Sequence, residues 1–452
     1  MHKLDNITFF VDDLPGSLIP MDAMDTNSKL IVNFLYKPII KKVCGEYISP
    51  YFLDMSKDNV ICLKFTNKIF WSDNTSLTAM DFLHTLRLIF SQRKKCFYYL
   101  DFIKGAKDFI YDGASIDNIE MWVEDNTFFA NVFSLNSYKD IFACPNFSPL
   151  KFRQDEIDYQ TTSGGYCCKF LANKEIILEK NVANSKLPSV VEIIEEIDIH
   201  YQIQQIQSGK RAYTGFTSLN LEDSVLRQKS YELQSDIHFR LLFSPRMYNS
   251  IKQHNPNIKT EILCELKKSN NLLKYINLNC DNINYQCKNV INTDTEQMIR
   301  FLYPDYFPND LIVGIITEIM KRYKIKIKSY PLSFKAYLSE NWEKYDLILE
   351  LIEPITKNQL DEFIEQIQFI DQNDRKKYVG LINEYINNIT DNKEEKIKVE
   401  IMNLIKKSSR VLDMGIFRQY YIKSPELPKI ELTDNGLVDM NKMFNEEKVC
   451  GI

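Results

Sequence analysis

The 452-residue sequence has no apolar run long and charge-free enough to cross a membrane. Its first residues, MHKLDNITFFVDDLPGS, hold no basic n-region, no long apolar stretch, no cleavage site and no lipid-attachment cysteine. The chain as it stands is therefore expected to be cytoplasmic, with an exported cell-surface or periplasmic protein as the alternative if a leader was trimmed. Histidine is scarce: His2, His84, His200, His238 and His254 show no close ligand spacing, so no metal is expected. The ten cysteines lack repeated C-x-x-C spacing. Neither Cys167-Cys168 nor the pair Cys280 and Cys287 reads as a zinc site, and buried reduced thiols, suited to a reducing compartment, are expected instead. G-x-S-x-G, H-E-x-x-H, the P-loop and a Cys-His signature are all missing, so no enzyme and no cofactor are expected. A net charge of -5 gives no electrostatic reason for nucleic acid as a partner. The clusters Lys41-Lys42 and Arg93-Lys94-Lys95 read as solvated faces.

What is present is an ordinary folded composition, 44% apolar and 26% charged, in a chain long enough for two or three lobes. Its most informative stretch is Val60 to Phe90. Ile61, Leu63 and Phe65 alternate with Cys62 and Lys64, the period of a half-buried strand. Asp73-Asn74 then turns the chain. Thr78 and Asp81 have capping-box spacing, and Phe82, Leu83, Leu86, Ile89 and Phe90 give the following helix one apolar face. Further on, Ile119 to Val123 and Phe128 to Val132 flank Asp125-Asn126 as a hairpin.

The wording of this unit, FTNKIFWSDNTSLTAMDFLHTLR, resembles a signature of the extracellular solute-binding proteins of family 5, the peptide-, dipeptide- and nickel-binding components of ABC importers. Their W-S-D-G is matched by Trp71-Ser72-Asp73, with Asn74 for Gly, and their L-T-A-x-D-F by Leu77 to Phe82. Other landmarks follow in order. Ser17-Leu18-Ile19-Pro20 stands for S-L-D-P, and Tyr36-Lys37-Pro38-Ile39 for Y-x-P-L. Thr162 to Tyr166, with Ile176 to Asn181, resembles G-T-G-P-Y and its strand, the Gly-Gly pair allowing close backbone approach, while Ile206 to Gly209 resembles L-x-S-G. In the second half, strand, helix, strand, helix and strand are expected at Met298 to Tyr303, Asn309 to Tyr323, Ile325 to Ser329, Phe334 to Trp342 and Tyr345 to Leu349. They make β-α-β crossovers in a mostly parallel sheet. Leu311, Ile315, Ile319 and Met320 are the expected buried face of the first helix. Lys376 to Asn388 and Lys393 to Lys407 are two further helices.

The resemblance implies an α/β fold of the periplasmic-binding-protein-like type II (class C), with two main lobes carrying mixed sheets, a two-crossing hinge and an accessory subdomain. The expected parts are lobe I at 1–40, 160–237 and 412–452, the accessory subdomain at 41–159, and lobe II at 238–411. The hinge crossings are expected within Asp198 to Leu241 and Arg410 to Phe417. A peptide or peptide-like ligand would be held between lobes that close on it and, with an ABC permease as partner, imported by a monomeric protein. The alternative is an intracellular descendant of the fold acting as a ligand sensor, carrier or partner-binding protein. Relatives place an acidic residue after the Y-D-L strand to meet a ligand ammonium, which implies Glu353 first and Glu350 second. A ligand carboxylate implies Arg246 and Tyr248, and a cleft wall at Met21 to Thr26 implies Met24.

Overall fold

The computed structural model describes residues 6–49, 51–66, 69–135, 138–154, 156–181, 186–215, 224–233, 236–254, 257–278, 297–353, 362–363, 366–387 and 391–444. Cysteines 280, 287 and 450 and His2 lie outside them. The contacts divide the chain into two compact units, the first drawn from residues up to Thr214 and from Lys423 onward, the second from Gly215–Pro354 and Glu362–Ile422. The first division falls earlier than the expected 237/238 boundary but inside the expected crossing region Asp198 to Leu241, whereas the last falls later than the expected 411/412 boundary, so Arg410 to Phe417 is not where the chain changes unit. The reason is that residues 411–417 form an interior strand of the second unit's sheet.

In the first unit, β1 (Asn6–Val11) leads to α1 (Thr26–Leu35), whose first turn is capped by Asp25 accepting from the Ser28 amide. A four-stranded antiparallel sheet follows, from β2 (Phe52–Asp54) and β3 (Val60–Phe65), then, beyond α2 (Ala79–Ser91), β4 (Met121–Glu124) and β5 (Thr127–Asn131), in spatial order β2-β3-β5-β4. The capping box forms: Asp81 Oδ2 accepts from the Thr78 amide at 2.8 Å, and Thr78 Oγ1 from the Asp81 amide at 3.3 Å. Asn74, Asp125 and Asn126 all take positive φ, as their turns require. The apolar face of α2 enters an aromatic core in which the Phe82 ring lies 5.0 Å from both Phe128 and Phe142.

The rest of the first unit is a second sheet. Strands β6 (Tyr166–Ala172), β7 (Glu175–Lys180) and β8 (Val190–Glu195) precede β9 (Ala212–Tyr213), in order β6-β7-β8-β1-β9. The glycine pair does what its sequence suggests. Gly164 donates its amide to Leu35 O at 2.7 Å, and a Cβ on Gly164 would lie 2.3 Å from Phe34 O, so the backbones touch where no side chain fits. The adjacent Thr162 exchanges hydrogen bonds with Ser72 of the W-S-D turn, tying two distant landmarks together.

The second unit is built on one six-stranded sheet. Its elements are β10 (His238–Phe243), α3 (Pro245–His254), α4 (Ile258–Lys267), β11 (Ile276–Leu278), β12 (Gln297–Pro304), α5 (Asn309–Arg322), β13 (Ile325–Leu332), α6 (Phe334–Ser339), β14 (Leu347–Ile352), α7 (Gln372–Asn387), α8 (Asp391–Ser408) and β15 (Val411–Phe417). The order is β11-β15-β10-β14-β12-β13. The expected crossovers are present, with β12 parallel to β13 and β14, but β10, β14, β15 and β11 pair antiparallel, so the sheet is mixed rather than mostly parallel. On α5 the buried face is Ile312, Val313, Ile316, Ile319 and Met320, while Leu311 and Ile315 are half-buried, a rotation of the expected stripe. α6 ends at Ser339 instead of running on to Trp342.

Not all cysteines are buried. Cys96 and Cys144 are, but Cys44 is exposed and Cys62, Cys167, Cys168 and Cys264 are partly so, all as free thiols.

Candidate functional site

The second unit's sheet separates charge from apolar surface along one face. Residues directly opposite each other on neighbouring antiparallel strands share a face. Leu242 of β10 faces Ile348 of β14 and Val411 of β15, and with Leu302 and Tyr337 these form an apolar cluster. Two residues back along β10, the row becomes ionic: buried Arg240 stands between Glu350 on β14 and Asp413 on β15. Another two residues back is His238, whose Nδ1 lies 2.8 Å from Asp413 Oδ2. Glu353 follows directly on β14, past the pairing of His238 with Ile352.

A β-bulge aims Asp413. The register between β10 and β15 slips between Phe239 and Arg240, and Gly415 takes a φ of 139° beside β11. A Cβ there would lie 2.2 Å from Asn277 O, so only glycine fits. The Gly415 amide donates to Asp413 Oδ1 at 3.0 Å, leaving Oδ2 to His238.

These charges act on one another. Burial alone would lower the pKa of His238, but the hydrogen bond and negative charge of Asp413 outweigh it, and the net direction is upward. Arg240 opposes that shift and Glu362 adds to it. Burial, then the charge of Glu350, hold the Tyr337 hydroxyl in its neutral form, and it donates to Leu349 O at 3.0 Å. Glu350, Glu353, Glu362 and Asp413 thus share this region with two cationic or ionisable partners, Arg240 and His238. The place is also where open α/β sheets present ligand sites, outside the carboxyl ends of their parallel strands, here β12, β13 and β14.

The residues expected from sequence are not all gathered there. Glu350 and Glu353 are. Arg246 and Tyr248 lie on α3, which begins after the other end of β10, next to Leu347 at the start of β14. Six strand residues separate the two edges, on the order of 20 Å. Arg246 is exposed, whereas Tyr248 is buried against Phe243, with Lys252 and Lys259 at 5.2 and 5.1 Å from its ring. Met24 belongs to the first unit, its Sδ 4.0 Å from Asn146 Nδ2. Its neighbours Met21 and Ala23 are buried, and Asn146 donates to Ala23 O at 2.7 Å, so this stretch packs as a turn within the first unit. Sequence reasoning missed His238, Arg240 and Asp413. Their signal was a charge or imidazole set inside the otherwise apolar runs HFRLLF and VLDMGIF.

Among the described residues no group of three His, Cys, Asp or Glu side chains could hold a metal ion. Among them, too, no helix is long and apolar enough to span a membrane.

The sheets, their order and their connections are those of the periplasmic-binding-protein-like α/β fold. The murein tripeptide-binding protein MppA of Escherichia coli superposes with a TM-score of 0.76 at 12% identity, covering 97% of this chain and 98% of that one. A periplasmic oligopeptide-binding protein of Borrelia burgdorferi gives 0.74 at 15% identity, with 94% and 96% covered. NikA of Staphylococcus aureus, solved in complex with Ni(L-His)2, gives 0.71 at 12% identity, with 96% and 99% covered. No protein-family model and no curated protein matches the sequence. The fold implied by the family 5 resemblance is therefore the fold this chain has, along nearly its whole length.

Proposed function

We propose that this protein is a solute-binding protein of the family 5 type, a binding protein and not an enzyme, which captures a peptide or peptide-like ligand for ABC-type import. The observation that carries this reading is the carboxylate-rich end of the second unit's sheet, where Glu350 lies on β14 and Glu353 directly follows it, the strand that corresponds to the one relatives use. In this reading Glu353 meets the ligand's terminal ammonium. Two of the similar structures are of proteins named for binding tripeptides or oligopeptides, which supports a peptide over a metal complex.

The test is calorimetric titration of the full chain with a tripeptide library and with the same peptides N-acetylated. A charge-assisted contact contributes about 1.5–3 kcal/mol, so acetylation or Glu353→Gln is expected to weaken binding by about tenfold or more. Equal affinity for free and acetylated peptides would remove Glu353 from this role, and no binding across the library would sink the transport reading.

A second reading keeps the fold but places the protein inside the cell as a sensor or carrier. It is favoured by the free thiols, Cys44 being exposed, which suit a reducing compartment. Fractionation of the host separates the two: protein outside the cytoplasmic membrane supports import, protein only in the cytoplasm the second reading.

A further inference from the structure

We propose that the first unit carries a second binding site, distinct from the peptide reading above, for a small oxyanion held by Lys37. A cavity of about 150 Å³ opens between the end of α1, the segment that follows it, the Gly165-Tyr166 turn and residues 433–441. At about 30 Å³ per water it holds roughly five waters, or one small organic carboxylate or a phosphate.

Lys37 lines this space and is half-buried. Among the described residues its ammonium has no hydrogen-bond or ion-pair partner, although its backbone amide donates to Ser163 Oγ at 3.1 Å. Burial lowers its pKa, and the nearby charge of Lys41 lowers it further. A desolvated ammonium is costly unless an anion offsets it. The two neighbouring lysines are already matched: Lys41 lies 3.6 Å from Asp439 Oδ2, and Lys42 lies 3.0 Å from Asp140 and 3.1 Å from the Tyr47 hydroxyl. Lys41-Lys42 is therefore no plain solvated face. It neutralises the acids around the cavity and leaves Lys37 as the cation in surplus.

A second donor points the same way. Tyr51 also lines the cavity, and its hydroxyl is desolvated and among the described residues has no partner. An ammonium and a hydroxyl on one small cavity make a site for a carboxylate or phosphate oxygen. The amide nitrogens of Asn33 and Asn435 are already spent on Val438 O and Ala143 O, so they frame the cavity instead of reading the ligand.

The probes are sodium acetate, sodium lactate and inorganic phosphate, titrated calorimetrically into the full chain at fixed ionic strength, with chloride as control. One of them is expected to bind at one site per chain, at least tenfold more weakly in Lys37→Met and several-fold more weakly in Tyr51→Phe, with Lys321→Met, on the exposed side of α5 in the second unit, unchanged. Tyr51→Phe keeps the test open should Lys37→Met fail to fold. Preference for acetate or lactate assigns a carboxylate, and preference for phosphate assigns a phosphate. No saturable binding, or binding equal in wild type and both variants, overturns the site. Glu353→Gln serves as the cross-control: it should lose peptide and keep the anion, so failure of the peptide reading leaves this result standing.

Discussion

The pair formed by His238 and Asp413 gives a stability that depends on pH with a defined sign. The two side chains are about one-fifth to one-quarter exposed, 21% and 24%, and meet at 2.8 Å. A charge-assisted hydrogen bond contributes about 1.5–3 kcal/mol, and partial exposure places this one near the lower figure. Because Asp413 raises the His238 pKa above its unfolded value, the folded state holds the proton more tightly. The contribution is complete below about pH 6.5, the ordinary histidine value, and is lost as pH rises through the raised folded pKa. The assay is urea unfolding at steps from pH 5.5 to 8.5, comparing wild type with Asp413→Asn, which keeps an acceptor for the Gly415 amide. Trp342 belongs to the second unit, whereas Trp71 and Trp122 belong to the first, so a Trp71→Phe, Trp122→Phe background makes fluorescence report the second unit alone. The stability gap between wild type and Asp413→Asn should be about 1.5 kcal/mol larger at the acid end than at the alkaline end. Loss of the Arg240 neighbour adds a constant offset only. A gap that stays constant, or grows with pH, would refute the reasoning, and a His238→Gln cycle would show whether the coupling belongs to this pair.

Lys259 has the opposite dependence. Burial first, and Lys252 next, lower its pKa to about 7, although it donates to Val411 O at 2.8 Å and also to Ser409 O. The unfolded chain then binds more protons between pH 7 and 10.5, so stability rises with pH there by up to about 1.4 kcal/mol per unit, and Lys259→Met should flatten that slope in the same assay; identical slopes would contradict it. Gly415→Ala forces a Cβ to within 2.2 Å of Asn277 O at a positive φ, and should cost about 3 kcal/mol while shifting the His238 imidazole signals by NMR. A loss below about 0.5 kcal/mol would mean that β11 can give way.

Local chemistry explains which parts of the architecture were legible. Thr78 with Asp81, the turns at Asn74 and Asp125-Asn126, and the Gly164 contact are decided within a few residues, so spacing alone identifies them. The α5 stripe was harder, because Leu311, Ile312, Ile315 and Ile316 are all apolar and periodicity does not choose between two adjacent faces. The last chain division differs from the expected one for a related reason: VLDMGIF reads equally as connection or strand, and only pairing with β10 and β11 makes it an interior strand.

The site follows from the same distinction between what is near in sequence and what is near across a sheet. Arg246 and Tyr248 stand a few residues past β10, yet the strand carries them to the far edge, away from Glu353. Asp413 is far along the chain from His238, yet antiparallel pairing and one bulge set them in contact. Arg240 links the two halves of the cluster, because its register partners are Glu350 on one side and Asp413 on the other. A buried guanidinium is costly without negative charge nearby, so removing either register partner takes away charge that offsets Arg240 inside the sheet. Glu350, the register partner of buried Arg240, cannot be replaced without changing the charge balance inside the sheet. Glu353, one step past the last registered pair, is the carboxylate whose replacement tests recognition with the least disturbance of the sheet.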